Sequence, residues 1–183
     1  MTPSNLKIWL VTGLISLALP LTAQETPQDK QFEQMLIAID TVPSRDTLDL
    51  RWPDASLRLC AASVETNRNS WSRQRAISLL SLYPTKDVRD HLVILTSAPD
   101  PNIRKTAVYT LGRTFGASGD AKLVKHITSV ALSDISPAVQ DRAVRTLRWI
   151  SHPNALTALK AIASTRPELA PLVSYVIRRK QHR

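Results

Sequence analysis

The side chains of this 183-residue chain that could hold a metal or attack a substrate are few and scattered. The four histidines are His91, His126, His152 and His182. No two lie three or four residues apart and none belongs to an HExxH pattern, so no helix face gathers two imidazoles for zinc. Cys60 is the single cysteine and has no partner for an internal disulfide. Among Leu57, Leu59, Ala61 and Ala62 it reads as a buried, inert thiol, with an intermolecular disulfide as the alternative. The run Gly112-Arg113-Thr114-Phe115-Gly116-Ala117-Ser118-Gly119 is rich enough in glycine to suggest a phosphate cradle. It lacks Gly-Lys-Ser/Thr and follows a helical pattern rather than a strand, so a left-handed helix cap and turn is the better reading. No Gly-x-Ser-x-Gly elbow occurs. The expectation is a protein that is not an enzyme, with no catalytic, metal or cofactor-binding residues and no cofactor.

The charged residues carry more information. From Gln24 to Thr66 the chain has four basic and eight acidic residues, whereas Asn67 to Arg183 has nineteen basic and seven acidic, so charge is polarised along the sequence. Arg89, Lys122, Lys125 and Lys160 fall on the polar sides of helical patterns, with Arg89 and Lys122 one repeat apart, and Arg178, Arg179, Lys180 and Arg183 make a cationic tail. Two readings stand: a solvated face, or a site for an acidic protein, anionic lipid head groups or another polyanion. Nucleic acid fits less well. Aromatics are 5% of the chain, and Trp71 and Trp149 sit inside helical patterns where core packing explains them better than base stacking.

The elements that must carry these residues are helices. Ala and Leu recur while only four glycines are present, a composition that favours helix over strand. Aligning the chain with itself matches segments beginning at Asp54, Asp87, Asp120 and Asn154, spaced 33, 33 and 34 residues apart. Each opens a helical apolar pattern, as in Ala121, Val124, Ile127 and Val130. Between them lies a second family in which Ala76, Ala107 and Ala143 are each followed four residues later by Leu, with Ile77, Val108 and Val144 alongside. We term the second family first helices and the Asp/Asn-opened family second helices. Asp100 before Pro101 and Ser136 before Pro137 place a capping oxygen ahead of proline at the first helical position, and Thr85 and Asp120 can cap second helices. Arg73 and Arg104 read as hydrogen-bond donors between repeats.

The run from Asp100-Pro101-Asn102-Ile103-Arg104 through Ala107, Leu111 and Gly112 to Gly119-Asp120-Ala121 and Leu123 resembles HEAT repeats, in the short variety also found in phycobilisome-lyase-type repeats. The resemblance covers roughly residues 54–166; the leading helix of the first unit, Asp29 to Val42, lacks a clear motif, and Gln140 stands where Arg is usual. It implies an all-α fold, an α-solenoid of about four stacked antiparallel helix pairs in an α-α superhelix, closed by a terminal helix from Glu168 to Lys180. It also implies binding of a protein partner along a concave face lined by the second helices. Phycobilin chemistry does not come with the repeat.

Residues 1–23 differ from the rest. Lys7 is their only charged side chain, and Ile8 to Leu21 is apolar apart from Thr12, Gly13 and Ser16. Such a helix extends about 21 Å, short of a bilayer core of about 30 Å, which favours a cleaved signal peptide ending at Ala23 over a retained anchor. The expected organisation is therefore a signal peptide at 1–23, an N-terminal helix and connecting loop at 24–53, and a repeat domain with a basic terminal helix and tail at 54–183. The corresponding function is an exported, periplasmic or extracellular interaction or scaffold module, with bacterial origin inferred. The alternative is a binder of anionic surfaces or polymers through the basic half.

Overall fold

The computed structural model describes residues 26–38 and 41–181; the expected signal peptide and Arg183 lie outside them. The described residues fold into ten α-helices with no strand. In chain order these are α1 (Pro27–Ile37), α2 (Arg45–Arg51), α3 (Ala55–Val64), α4 (Ser70–Leu79), α5 (Lys86–Leu95), α6 (Pro101–Phe115), α7 (Ala121–Ser133), α8 (Pro137–Thr146), α9 (Asn154–Thr165) and α10 (Ala170–Gln181). The first helices of the sequence pattern are α4, α6 and α8, and the second helices are α3, α5, α7 and α9.

Helix starts follow local chemistry. Asn69 accepts from Ser72 N at 2.8 Å, Thr85 from Val88 N, Asp100 from Asn102 N at 2.8 Å and Asp120 from Lys122 N at 2.8 Å, each satisfying an amide that a first turn leaves unpaired. Ser136 does not cap as expected. Its side chain makes no capping bond, and its own amide donates to Asp134 Oδ1 at 2.8 Å instead. α4, α6 and α8 each tighten into a 3-10 turn at their ends, at Leu80–Leu82, Gly116–Ser118 and Leu147–Trp149. The leading helix is shorter than the expected 29–42 span, ending at Ile37, and the expected connecting loop holds the extra helix α2. Pro43 cannot continue a helix, and Ser44 starts a new one by accepting from Thr47 N at 3.2 Å.

The helices pack in two rows. α4, α6, α8 and α10 lie side by side, and so do α7 and α9 and, more loosely, α3 and α5. Across the rows the extensive contacts are α3 with α4, α5 with α6, α7 with α8 and α9 with α10, while α6 meets α7 only slightly. Each second helix thus pairs most closely with the first helix that follows it. Leu59, Leu92, Ile127 and Leu159 are buried at equivalent points of the second helices, and Leu80, Leu111 and Leu147 lie four residues after buried Ala76, Ala107 and Ala143. Burying such a Leu or Ile contributes on the order of 1.5–3 kcal/mol, so the inter-row layer dominates stability.

Gly112 and Gly116 allow the closest approach. A methyl group at Gly112 would lie 2.0 Å from Thr146 Cγ2, and one at Gly116 would lie 2.6 Å from the Trp149 carbonyl oxygen. Ser151 N donates to Gly116 O at 2.8 Å across the same contact. Gly119 takes φ +66°, the left-handed turn expected before α7, which glycine adopts without strain.

Candidate binding surfaces

The buried cores of α5 and α7 align Val88 with Leu123 and Leu92 with Ile127. Lys122 therefore matches Asp87 rather than Arg89, which corrects the alignment expected from sequence. Asp87 resembles the capping Asp120 in the linear pattern, but the cap of α5 is Thr85, two residues earlier. In the same register the outer positions read Leu57, Asp90 and Lys125 and, one turn on, Ala61, Ile94 and Ser129. Leu57 is 71% exposed and Ile94 70%, with Ala61 and Val64 exposed beside Leu57. The outer side of the second helices thus exposes aliphatic residues at α3 and, beside the Lys86–Asp90 ion pair, at Ile94 of α5, and is cationic at α7 and α9, where Lys122, Lys125 and Lys160 are exposed.

The seven described cations among those singled out from sequence do not form one cluster. Arg89 donates to Asp120 Oδ2 at 2.9 Å and lies 3.7 Å from Asp90, so its charge is compensated. It shares a hollow of about 160 Å³ between α5 and α7 with Lys122 and His126. Arg178 and Arg179 are exposed on α10, in the other row, and Arg179 lies 5.6 Å from the Tyr175 ring centroid. Lys180 turns inward, its Nζ donating to Ile150 O at 2.5 Å and to Arg148 O at 3.4 Å.

Two polar connections link neighbouring second helices, and the third step has none. Ser63 Oγ donates to Cys60 O at 2.7 Å, so it accepts from His91 Nε2, also at 2.7 Å. Thr96 Oγ1 donates to Val93 O at 2.7 Å and accepts from His126 Nε2 at 2.9 Å in the same way. Burial pushes both imidazoles below the ordinary histidine range. At the third step Ala131 and Ala158 replace the hydroxyl and the imidazole, and α7 and α9 pack closely. Between α5 and α7 a larger hollow of about 450 Å³ opens beyond His126. Arg104 at its wall is occupied: it forms a fork with Asp134 at 2.7 and 2.8 Å and donates to Ala98 O and Pro99 O at 2.9 Å each. That hydrogen-bonded fork holds the Asp134 carboxyl below the usual carboxylate range.

Arg73 and Arg104 do donate between repeats, Arg73 Nε reaching Ser63 O at 3.1 Å. Where Gln140 replaces arginine, Gln140 Nε2 donates to Asp134 O at 2.5 Å, and Arg166 from beyond α9 donates to Leu132 O at 2.9 Å. Among the described residues no group of three or more His, Cys, Asp or Glu side chains converges as a metal site. Cys60 is half-buried and unbridged, and desolvation raises its thiol pKa. No described helix is long and apolar enough to cross a membrane.

The surface that sequence reasoning missed lies on the first helices. Trp71, expected in the core, is 53% exposed, because the register that buries Ser72, Ala76 and Leu79 turns position 71 outward. Trp149 is half-buried with the guanidinium carbons of Arg113 and Arg148 at 4.0 and 4.3 Å from its ring centroid. Arg142 lies 5.1 Å from the Tyr109 centroid, and Arg145 lies 5.8 Å from that of Tyr175. No protein-family model matches the chain, and no curated protein matches it.

Proposed function

We propose that the protein is an exported, non-enzymatic scaffold of the HEAT-like α-solenoid kind, which binds a protein partner along the outer side of α3, α5, α7 and α9. The observation that carries this reading is the composition of that side. Exposed Leu57, Val64 and Ile94 precede exposed Lys122, Lys125 and Lys160, and a row of packed helices has no internal use for either group. The fitting partner is an extended or helical segment whose apolar residues precede acidic ones, with aliphatic contacts supplying affinity and charge supplying orientation. The side-by-side packing of α4, α6, α8 and α10, with the matching burial of Leu59, Leu92, Ile127 and Leu159, supports the repeat architecture. The short apolar run at Ile8 to Leu21, preceded by the single charge of Lys7, supports export.

The test is affinity capture from a cell-envelope extract with the parent protein, with Lys122→Glu/Lys125→Glu, and with Leu57→Asp/Ile94→Asp. All these side chains are exposed, so the variants keep the fold. Each pair is expected to remove the same partner. An unchanged set of captured proteins for both pairs overturns the proposed surface.

A further inference from the structure

α6, α8 and α10, with the 3-10 turns that extend α6 and α8, carry Asp141 as their single acidic residue, and Arg145 neutralises it at 2.6 Å. The same elements carry Arg113, Arg142, Arg148 and Arg179, all held against aromatic rings that are themselves outside the core. This differs in kind from the second helices, whose exposed cations are lysines without such supports. A guanidinium laid on a ring is poorly hydrated and has lost much of its side-chain freedom, while its edge donors still point outward in a fork that matches two oxygens of a phosphate.

At the margin of this face is a hollow of about 350 Å³ between α4 and α6, lined by Ser78, Ser81, Tyr109, Thr110, Arg113 and Thr114. Every lining residue is a hydroxyl bearer except the arginine. The Thr114 hydroxyl is buried and has no hydrogen-bond partner among the described residues, a donor left over by the fold. Arg148 Nε is likewise buried and unpartnered beside Trp149.

We infer that the arginine–aromatic face of α6, α8 and α10 docks on an anionic phospholipid surface, with a head-group phosphate entering the hollow between Arg113 and the Thr114 hydroxyl. A bilayer fits better than a single-stranded nucleic acid for two reasons. The cations spread across three parallel rows of side chains rather than following one track, and guanidiniums already occupy the Tyr109, Trp149 and Tyr175 rings that a base would stack on. Tyr and Trp among basic residues also match the chemistry of the head-group layer. The inference does not rest on the protein-binding surface proposed above, which lies on the other row, so either can fail alone.

The experiment is vesicle co-sedimentation of the full chain with phosphatidylglycerol–phosphatidylcholine vesicles, using pure phosphatidylcholine to measure whatever residues 8–21 contribute. The Arg113→Gln/Arg142→Gln/Arg179→Gln triple is compared with Lys122→Gln/Lys125→Gln/Lys160→Gln, which removes the same net charge from the other row. The arginine triple should lower the anionic-vesicle preference about tenfold or more and the lysine triple by about twofold or less. In the unmodified protein, phenylglyoxal labelling read by mass spectrometry should show Arg113, Arg142 and Arg179 protected by anionic vesicles, with acetylation of Lys122 and Lys125 unchanged. That second measurement needs no variant to fold. Equal losses for the two triples, equal protection on both rows, no preference for anionic vesicles, or displacement from vesicles by equimolar single-stranded DNA would each overturn the inference.

Discussion

Arg104 and Asp134 form an ion pair whose side chains are 9% and 6% exposed. Removing one member strands the other charge among buried groups, and such losses run to about 3–5 kcal/mol. Arg104→Ala and Asp134→Ala are each expected to lower the denaturant midpoint by that order, whereas the paired apolar replacement Arg104→Met/Asp134→Leu should cost much less. The histidine bridges set a separate dependence on pH. His91 and His126 have folded pKa values lowered by burial, so the fold favours their neutral form. Their contribution is complete above the unfolded value of about 6.5 and is lost as pH falls below it toward the folded values. The paired carboxylates, among them Asp134 and Asp100, have lowered pKa values too, but their contribution is lost only at pH below about 4. Urea midpoints should therefore fall between pH 7.5 and 5, and His91→Gln/His126→Gln should flatten that slope while leaving the more acidic one.

At the level of the helices, the contact between α6 and α8 depends on two missing side chains. Gly112→Ala adds helix propensity of about 1 kcal/mol but places a methyl against Thr146, which is wholly buried and cannot turn away. We expect a net loss of about 1–3 kcal/mol by thermal melting, and Thr146→Ser, which deletes the clashing carbon, should recover most of it in a double-mutant cycle. This element was legible in part. The recurring Ala and Leu of α4, α6 and α8 identified the inter-row core, and the left-handed turn at Gly119 followed from the glycine run. The tightness at Gly112 was not legible, because it depends on Thr146 arriving from a later helix. The arginine–aromatic pairs were hidden for the same reason: Arg113 finds Trp149, Arg142 finds Tyr109 and Arg145 finds Tyr175, each across two helices. A linear pattern displays the face a residue occupies but not the neighbour that shares it. The short helix α2 was missed differently, since seven residues give too little periodicity to register and only Pro43-Ser44 signals its start.

Across the whole molecule, burial is densest in the middle. α6 and α8 touch helices on both sides and across the rows, while α1 and α2 are covered from fewer directions. Amide exchange should therefore be slowest at Ile103, Ala107, Leu111, Ala143 and Leu147 and fastest in α1 and α2, with intermediate rates in α10. Uniform protection from end to end would mean that the helices open as one unit rather than inward from the ends. Charge follows the same axis: in the acidic portion Asp29 is held at about 2 by the hydroxyl of Thr26 and by Arg58, and Arg68, from just beyond Thr66, bridges Glu33 and Glu65. Several carboxylates of the acidic end are thus neutralised by arginines, and the surplus positive charge of the remainder is left for whatever meets its outer faces.

The unequal spacing of α3, α5, α7 and α9 has a mechanical meaning. Where a hydroxyl and an imidazole stand between two helices, the joint is a hydrogen bond that can stretch and re-form; where two alanines meet, it is a hard stop. A load pulling on the ends of the chain would therefore be taken up at the seams between α3 and α5 and between α5 and α7, with the segment from α7 onward moving as a stiff lever.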